Sequence, residues 1–211
     1  MYEITFGSLA EILADGFALA LASRIIGSWL GPMEIVIGRL VFWPTKESIH
    51  ITKPHRYRSL PDIRAIIDCS EIFIETPKDP ILQNLTWSDY KHHNTGKFLI
   101  AIAPNSQITF ISKVYNGRAS DKAITLHSNF LEHCDPYDLI QADKGFNIAK
   151  ECEELNINLQ VPPGLRGLAQ MSTVSVNKTK RIANLRILVE QVIGRLKNFR
   201  ILRETFRINQ I

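Results

Sequence analysis

Apolar positions along the chain change their period near residue 60, and the change separates two kinds of structure. From Ser8 to Leu30 the residues Leu9, Ile12, Leu13, Phe17, Leu19, Leu21, Ile25, Ile26 and Leu30 recur at three- and four-residue steps. That spacing predicts a helix, which Gly31-Pro32 ends. Met33–Phe42 is a second apolar stretch, short enough for another helix. Trp43–Pro61 is rich in Pro, Lys, Arg and His and reads as a linker lying across the surface. The boundary is therefore placed near Pro61: a helical region and linker over 1–60, and a second unit over 61–211. Gly16–Ile37 is apolar, but Arg24, Glu34 and the Gly31-Pro32 break argue against a membrane span.

Past Pro61 the apolar runs shorten. Ala65–Glu75 reads as a strand stopped by the run from Glu75 to Pro80, and Thr86–Thr95 as a polar loop carrying Trp87, Tyr90, His92 and His93. Phe98–Ala103 and Ile108–Val114 pair as a hairpin about the turn Pro104–Gln107. Ser120 is placed to cap a helix running to about His133. Leu139–Ala142 is a strand, Asn147–Leu155 a helix and Ile157–Val161 a strand ended by Pro162-Pro163-Gly164. A basic helix spans Arg181 to Arg203. Three early strands followed by alternating helices and strands predict an α/β fold, a mixed sheet flanked by helices in the ribonuclease-H-like order. In that order the first and fourth strands lie side by side and the last helix packs nearby.

With 211 residues, 45% of them hydrophobic, the chain can bury one substantial core. The net charge of +4 is modest, but it is unevenly spread. Between Lys178 and Arg207 nine Lys or Arg face two acids, a net of +7. The remainder is therefore −3. A segregated basic helix suits a polyanionic partner, with Lys178, Arg186, Arg195, Lys197 and Arg200 as the DNA-binding candidates; a plain solvated face is the competing reading. Cys69, Cys134 and Cys152 form no disulfide or zinc pattern and suit a reducing compartment. Met1-Tyr2-Glu3 lacks the basic start of a signal peptide.

Four acids stand at the ends of these elements: Asp68, Asp121, Asp143 and Glu190. A carboxylate at a strand end costs desolvation energy unless it meets a cation or a donor. Cutting a phosphodiester needs an activated nucleophile, charge relief at phosphorus and support for the leaving oxygen. Two Mg²⁺ ions about 3.5–4 Å apart supply all three, and hard carboxylate oxygens suit them. Asp68, Asp143 and Glu190 are the catalytic candidates, with Asp121 as a fourth metal ligand. Asp121 also fits a plain first-turn helix charge, and Glu190 a salt-bridge partner of Arg186. Arg186, Glu190 and Lys197 stand at helical spacings of four and seven. Ile182, Leu185, Val189, Val192, Leu196 and Phe199 form the stripe expected to dock the helix on the sheet. His92 and His93 are adjacent, which is not the spacing of a helical zinc pair.

Five segments stand in an order that carries a resemblance: Asp68 to Pro77, Tyr90-Lys91-His92-His93-Asn94-Thr95, Gly117 to Lys122, Ala142-Asp143-Lys144-Gly145-Phe146, and Val189 to Lys197. Together they resemble the DDE superfamily endonuclease domain of Harbinger-like (PIF-type) transposases, from about Ser59 onward. The resemblance implies a ribonuclease-H-like fold, DNA cleavage with Mg²⁺ or Mn²⁺, double-stranded DNA as substrate and a nuclear setting. It also implies a separate DNA-binding partner protein, as in Harbinger-type systems, and is compatible with a homo-oligomer. Asp68, Asp143 and Glu190 match the family's catalytic acids, and Asp121 matches a fourth acid near its metal. Family members carry a helix-turn-helix upstream, and Ser8–Leu30 is read as its truncated remnant. The alternative is a catalytically silent, domesticated DNA- or chromatin-binding protein on the same scaffold.

Overall fold

The spine of the molecule is one long strand, β1 (Ile63–Phe73), in a computed structural model that describes residues 41–58, 63–161 and 186–206. The expected helix Ser8–Leu30 and almost all of Met33–Phe42 lie outside those residues. β1 is rich in β-branched isoleucines and is covered on both faces, which is why it reads as a nearly continuous apolar run. After it come α2 (Pro80–Thr86), β2 (Trp87–Ser88), β3 (His93–Ile102), β4 (Ile108–Ile111), β5 (Tyr115–Asn116), α3 (Asp121–His127), β6 (Leu139–Gln141), α4 (Ala149–Glu154) and β7 (Asn158–Gln160). Two helices follow, α5 over 186–196 and α6 (Arg200–Arg203), while α1 (Lys46–Thr52) precedes β1.

The sheet runs β2-β3-β1-β6-β7, with β4 and β5 also paired to β3. β1 and β3 are antiparallel, whereas β1, β6 and β7 are mutually parallel. This is the mixed, helix-flanked sheet of a ribonuclease-H-like fold, as expected. Side chains alternate across it. Ile66, Ile72, Phe98, Ile100 and Ile102 form one core with Leu188, Val189, Val192 and Leu196 of α5. Ala65, Ile67, Leu99 and Ala101 form the other with Ile124, Phe130, Ile148 and Cys152. Phe206 then pairs beside Ile74 and returns the chain from α6 to the end of β1.

Several boundaries differ from expectation. The linker Trp43–Pro61 is partly helical: Thr45 caps α1, its hydroxyl accepting from the Ser48 N–H at 3.2 Å. Trp43 packs edge-on against Phe130, with ring centroids 5.8 Å apart. Arg64 lies over the Trp43 ring, donates to the Pro44 carbonyl and pairs with buried Asp138 at 3.2 Å. Half of the polar loop expected over Thr86–Thr95 is paired strand. There β2 and the start of β3 form a hairpin, turned at His92 in the left-handed region. α2 was not foreseen, although its signal is explicit: Asp79 caps it and Pro80 opens it. The helix expected to reach His133 stops at His127, and left-handed Asn129 leads into a 3-10 turn. The basic helix is likewise interrupted, over 197–199.

Gly117 shows why a small residue must precede α3. A Cβ there would stand 2.6 Å from the Thr86 carbonyl oxygen, 2.8 Å from that of Thr95, and closer still to the Thr95 hydroxyl. Gly117→Ala is therefore expected to cost about 1–3 kcal/mol through overpacking against backbone that cannot yield. Thermal denaturation checks this, and an unchanged melting temperature would contradict it.

Candidate active site

The strand register brings the first two acids together. Ile66 of β1 pairs with Gln141 of β6 in parallel. Two residues further on, just past the end of β6, Asp143 arrives beside Asp68, which stands in the middle of β1 and not at its end as expected, because the strand runs on to Phe73. Period-two alternation puts Asp68 on the face of Ile66 and Ile72, the face that α5 covers. Helical periodicity adds the third acid. Leu188, Val189, Val192 and Leu196 turn into the core, and the adjacent stripe of Arg186, Glu190, Ile193, Gly194 and Lys197 faces a cleft of about 670 Å³. Asp68, Asp121, Asp143 and Glu190 all line this cleft.

Asp121 is the first residue of α3, whose cap Ser120 accepts from the Ala123 N–H at 3.1 Å. It is thus a first-turn helix charge and a cleft residue at once. Lys97, which faces Glu71 across the β1–β3 ladder, reaches Asp121 at 2.7 Å and the Ala119 carbonyl at 3.3 Å. The contact with Asp121 is a close ion pair without the alignment of a hydrogen bond, so the carboxylate is charge-balanced but not fully satisfied. Burial alone would lower the Lys97 pKa, but the Asp121 contact outweighs it and raises it.

Arg186 joins two of the acids. It meets Asp143 at 2.9 Å and Glu190, one turn along its own helix, at 3.2 Å. Asp143 also accepts the Lys144 N–H at 2.7 Å, and Asp68 accepts the Cys69 N–H at 2.8 Å. Burial nevertheless pushes the Asp68 pKa up to about 6; the backbone bond and Arg186 pull it down, and the charges of Asp143 and Asp121 push it further up. Burial, with the charge of Lys91, holds Lys197 below its ordinary value. The Cys69 thiol is pushed far up by burial beside Asp121, so it is no nucleophile at neutral pH.

The lining carries five carboxylates (Asp68, Glu71, Asp121, Asp143, Glu190) and four cations (Lys91, Lys97, Arg186, Lys197). Among the described residues no three acids, histidines or cysteines stand at distances that would hold a metal ion. The donor chemistry still fits a hard divalent cation: five carboxylates line the cleft, and burial with the charges of Asp143 and Asp121 disfavours ionised Asp68 by more than the Cys69 N–H and Arg186 offset, a load that a cation would relieve.

Of the expected DNA-binding residues, Arg186 and Lys197 line the cleft, and Arg195 is exposed on α5. Lys178 and the side chain of Arg200 lie outside the described residues. Lys97 and Glu71 were not singled out from sequence. The signal for Lys97 was a lone cation at the head of the apolar run Phe98–Ala103. Tyr90 stands exposed at the mouth, with the Lys91 ammonium 4.3 Å from its ring. His93 bonds the adjacent Asn94 carbonyl at 3.1 Å and stacks edge-on with Phe73. The docking stripe is corrected at two positions: Leu188 is in the core and Phe199 is exposed. Ile182 and Leu185 lie outside the described residues. No helix among the described residues is long and apolar enough to cross a membrane.

The family model described as DDE superfamily endonuclease matches residues 67–211, well over half of the chain and all of this site. No curated protein matches the chain.

Proposed function

We propose that this chain, which belongs to the DDE superfamily endonuclease family, is the catalytic domain of a Harbinger-like transposase-derived nuclease that cleaves DNA with Mg²⁺ or Mn²⁺. The observation that carries the proposal is the convergence of Asp68, Asp143 and Glu190, from the middle of β1, the end of the parallel strand β6 and one helix, on a single cleft. Those three carboxylates would hold the cations, with Asp121 as a fourth ligand once Lys97 yields. Bound there, the divalent cations would supply Lewis-acid activation of the attacking oxygen and charge relief at phosphorus.

The chain's own residues do the rest. β1 and β6 fix the carboxylates of Asp68 and Asp143 on rigid backbone, so little reorganisation is needed when charge develops. α5 holds Glu190 opposite them by burying Leu188, Val189, Val192 and Leu196. Lys197 and Lys91 bring positive charge to the cleft where a phosphate backbone would enter. Double-stranded DNA is the proposed partner, with a nuclear setting and a separate DNA-binding protein following from the Harbinger assignment. The silent DNA-binding alternative is less well supported, because binding alone does not require four acids around one cleft.

Nicking of duplex DNA by the purified chain with Mg²⁺ or Mn²⁺ tests the reading, and DNA binding without any metal-dependent cleavage would favour the silent alternative. A second expectation concerns affinity. Each neutralised phosphate contributes about −0.9 to the slope of log K against log salt. Replacing Arg195 and Lys197 together with Ala should flatten that slope by up to about two. Lys197 faces the cleft and Arg195 does not, so Lys197→Ala, unlike Arg195→Ala, should also slow cleavage. A slope indifferent to both changes would remove α5 from the DNA interface.

A further inference from the structure

We infer that Arg186 is a resident counter-ion of the cleft: in the metal-free protein its guanidinium ties Asp143 to Glu190, and a divalent cation must displace it from them to bind. The inference rests on the reading of these two carboxylates as ligands. Its basis is contact geometry. Arg186 reaches Asp143, at a strand end, at 2.9 Å and Glu190, on its own helix, at 3.2 Å. One planar guanidinium thus spans two elements, donating to Asp143 through Nη1 and holding Glu190 by charge alone through Nε, a reach for which guanidinium is better shaped than ammonium.

A cation already seated on these oxygens competes with an incoming one twice over. It occupies a lone pair of Asp143 and stands against Glu190, and it repels a dication. Lys97 plays a similar part for Asp121, but it is far less exposed, at 16% for the side chain against 38% for Arg186, and it is also bonded to the Ala119 carbonyl. Arg186 is therefore the group free to swing toward the mouth, where a DNA phosphate would receive it. The site then stays charge-balanced while empty, and exchanges one set of partners for another when metal and DNA arrive.

Both pairs are partly exposed, each side chain between 35% and 53% accessible, so each is worth a fraction of a kcal/mol in the metal-free state. Together with the removal of a like charge, this predicts that Arg186→Met binds Mn²⁺ about five- to tenfold more tightly than the unmodified chain. Arg186→Lys keeps the charge and loses the planar guanidinium, and should fall between them. The measurement is free Mn²⁺ by electron paramagnetic resonance on the full chain without DNA. In the unmodified protein, the Nε–H resonance of Arg186 should shift as Mg²⁺ is added, a readout independent of how any variant folds. Equal or weaker Mn²⁺ binding by a folded Arg186→Met, or an Arg186 resonance unmoved while Mg²⁺ binds, would overturn the inference. If the unmodified chain binds Mn²⁺, loses it in Asp68→Asn, and gains nothing from Arg186→Met, the inference falls and the nuclease reading stands. If neither the unmodified chain nor Arg186→Met binds Mn²⁺, both fall together.

Discussion

Asp68→Asn is expected to abolish metal-dependent DNA cleavage while leaving a folded, more stable metal-free protein. A metal ion contributes several kcal/mol of transition-state stabilisation, so loss of a principal ligand should lower the rate about a thousandfold or more. The stability side follows from the carboxyl's environment. Burial raises its folded pKa to about 6, above the ~3.9 of an unfolded chain. Below pH ~4 both states are protonated and the group contributes no difference. Between pH 4 and 6 the folded state holds the proton that the unfolded state has lost, so stability falls as pH rises through this window. Above pH 6 the full penalty remains. Asn keeps the shape and an oxygen to accept the Cys69 N–H, and it removes that penalty. Melting curves from pH 4 to 7.5 should therefore fall less steeply for the variant than for the unmodified chain. Metal binding needs the ionised form, so Mn²⁺ affinity of the unmodified chain should decline below pH 6. A variant that still nicks DNA at an ordinary rate would remove Asp68 from the reaction.

How far the site could be read in advance follows from which contacts make each element. The face of α5 was legible because a 3.6-residue period is written into a single segment: Arg186, Glu190 and Lys197 needed only counting. Asp68 and Asp143 were legible because an acid within or closing an apolar strand is costly and therefore conspicuous. Their convergence also depended on the order of strands, which alternation of element types suggests. Lys97 was missed because its role is set by a cross-strand neighbour, Glu71, and by Asp121, a residue distant in sequence. The hairpin through His92 was missed for a related reason. β3 carries His93-Asn94-Thr95 before its apolar stretch. Those polar residues are held by partners elsewhere: Asn94 donates to Thr86 and to the Gln83 carbonyl, and Thr95 donates to Glu71 at 2.8 Å. Phe199 leaves the stripe because the helix breaks over 197–199, which a periodic count cannot see, whereas Leu188, four residues before Val192, is on the buried face by the period itself.

Glu190→Gln separates a ligand from a structural ion-pair partner, and the pairing with Arg186 makes the separation sharper. The Arg186–Glu190 contact is an i,i+4 pair with the glutamate half exposed. Such pairs contribute about 0.3–0.5 kcal/mol. Losing this one is partly offset by relief of repulsion between Glu190 and the other acids of the cleft, and Arg186 retains Asp143. The metal-free melting temperature should therefore move by no more than about 2 °C, since 1 kcal/mol corresponds to about 2–4 °C in a domain of this size. Cleavage, by contrast, should fall about a thousandfold. The rise in melting temperature on adding Mg²⁺ should shrink, because a site with one charged ligand fewer binds the folded state more weakly. The opposite pattern is equally definite. A structural partner would give a clearly destabilised metal-free variant with its Mg²⁺ response intact, because the cost would lie in the stranded guanidinium and not in the metal site. That outcome would take Glu190 out of the catalytic set and leave Asp121 as the acid to join Asp68 and Asp143.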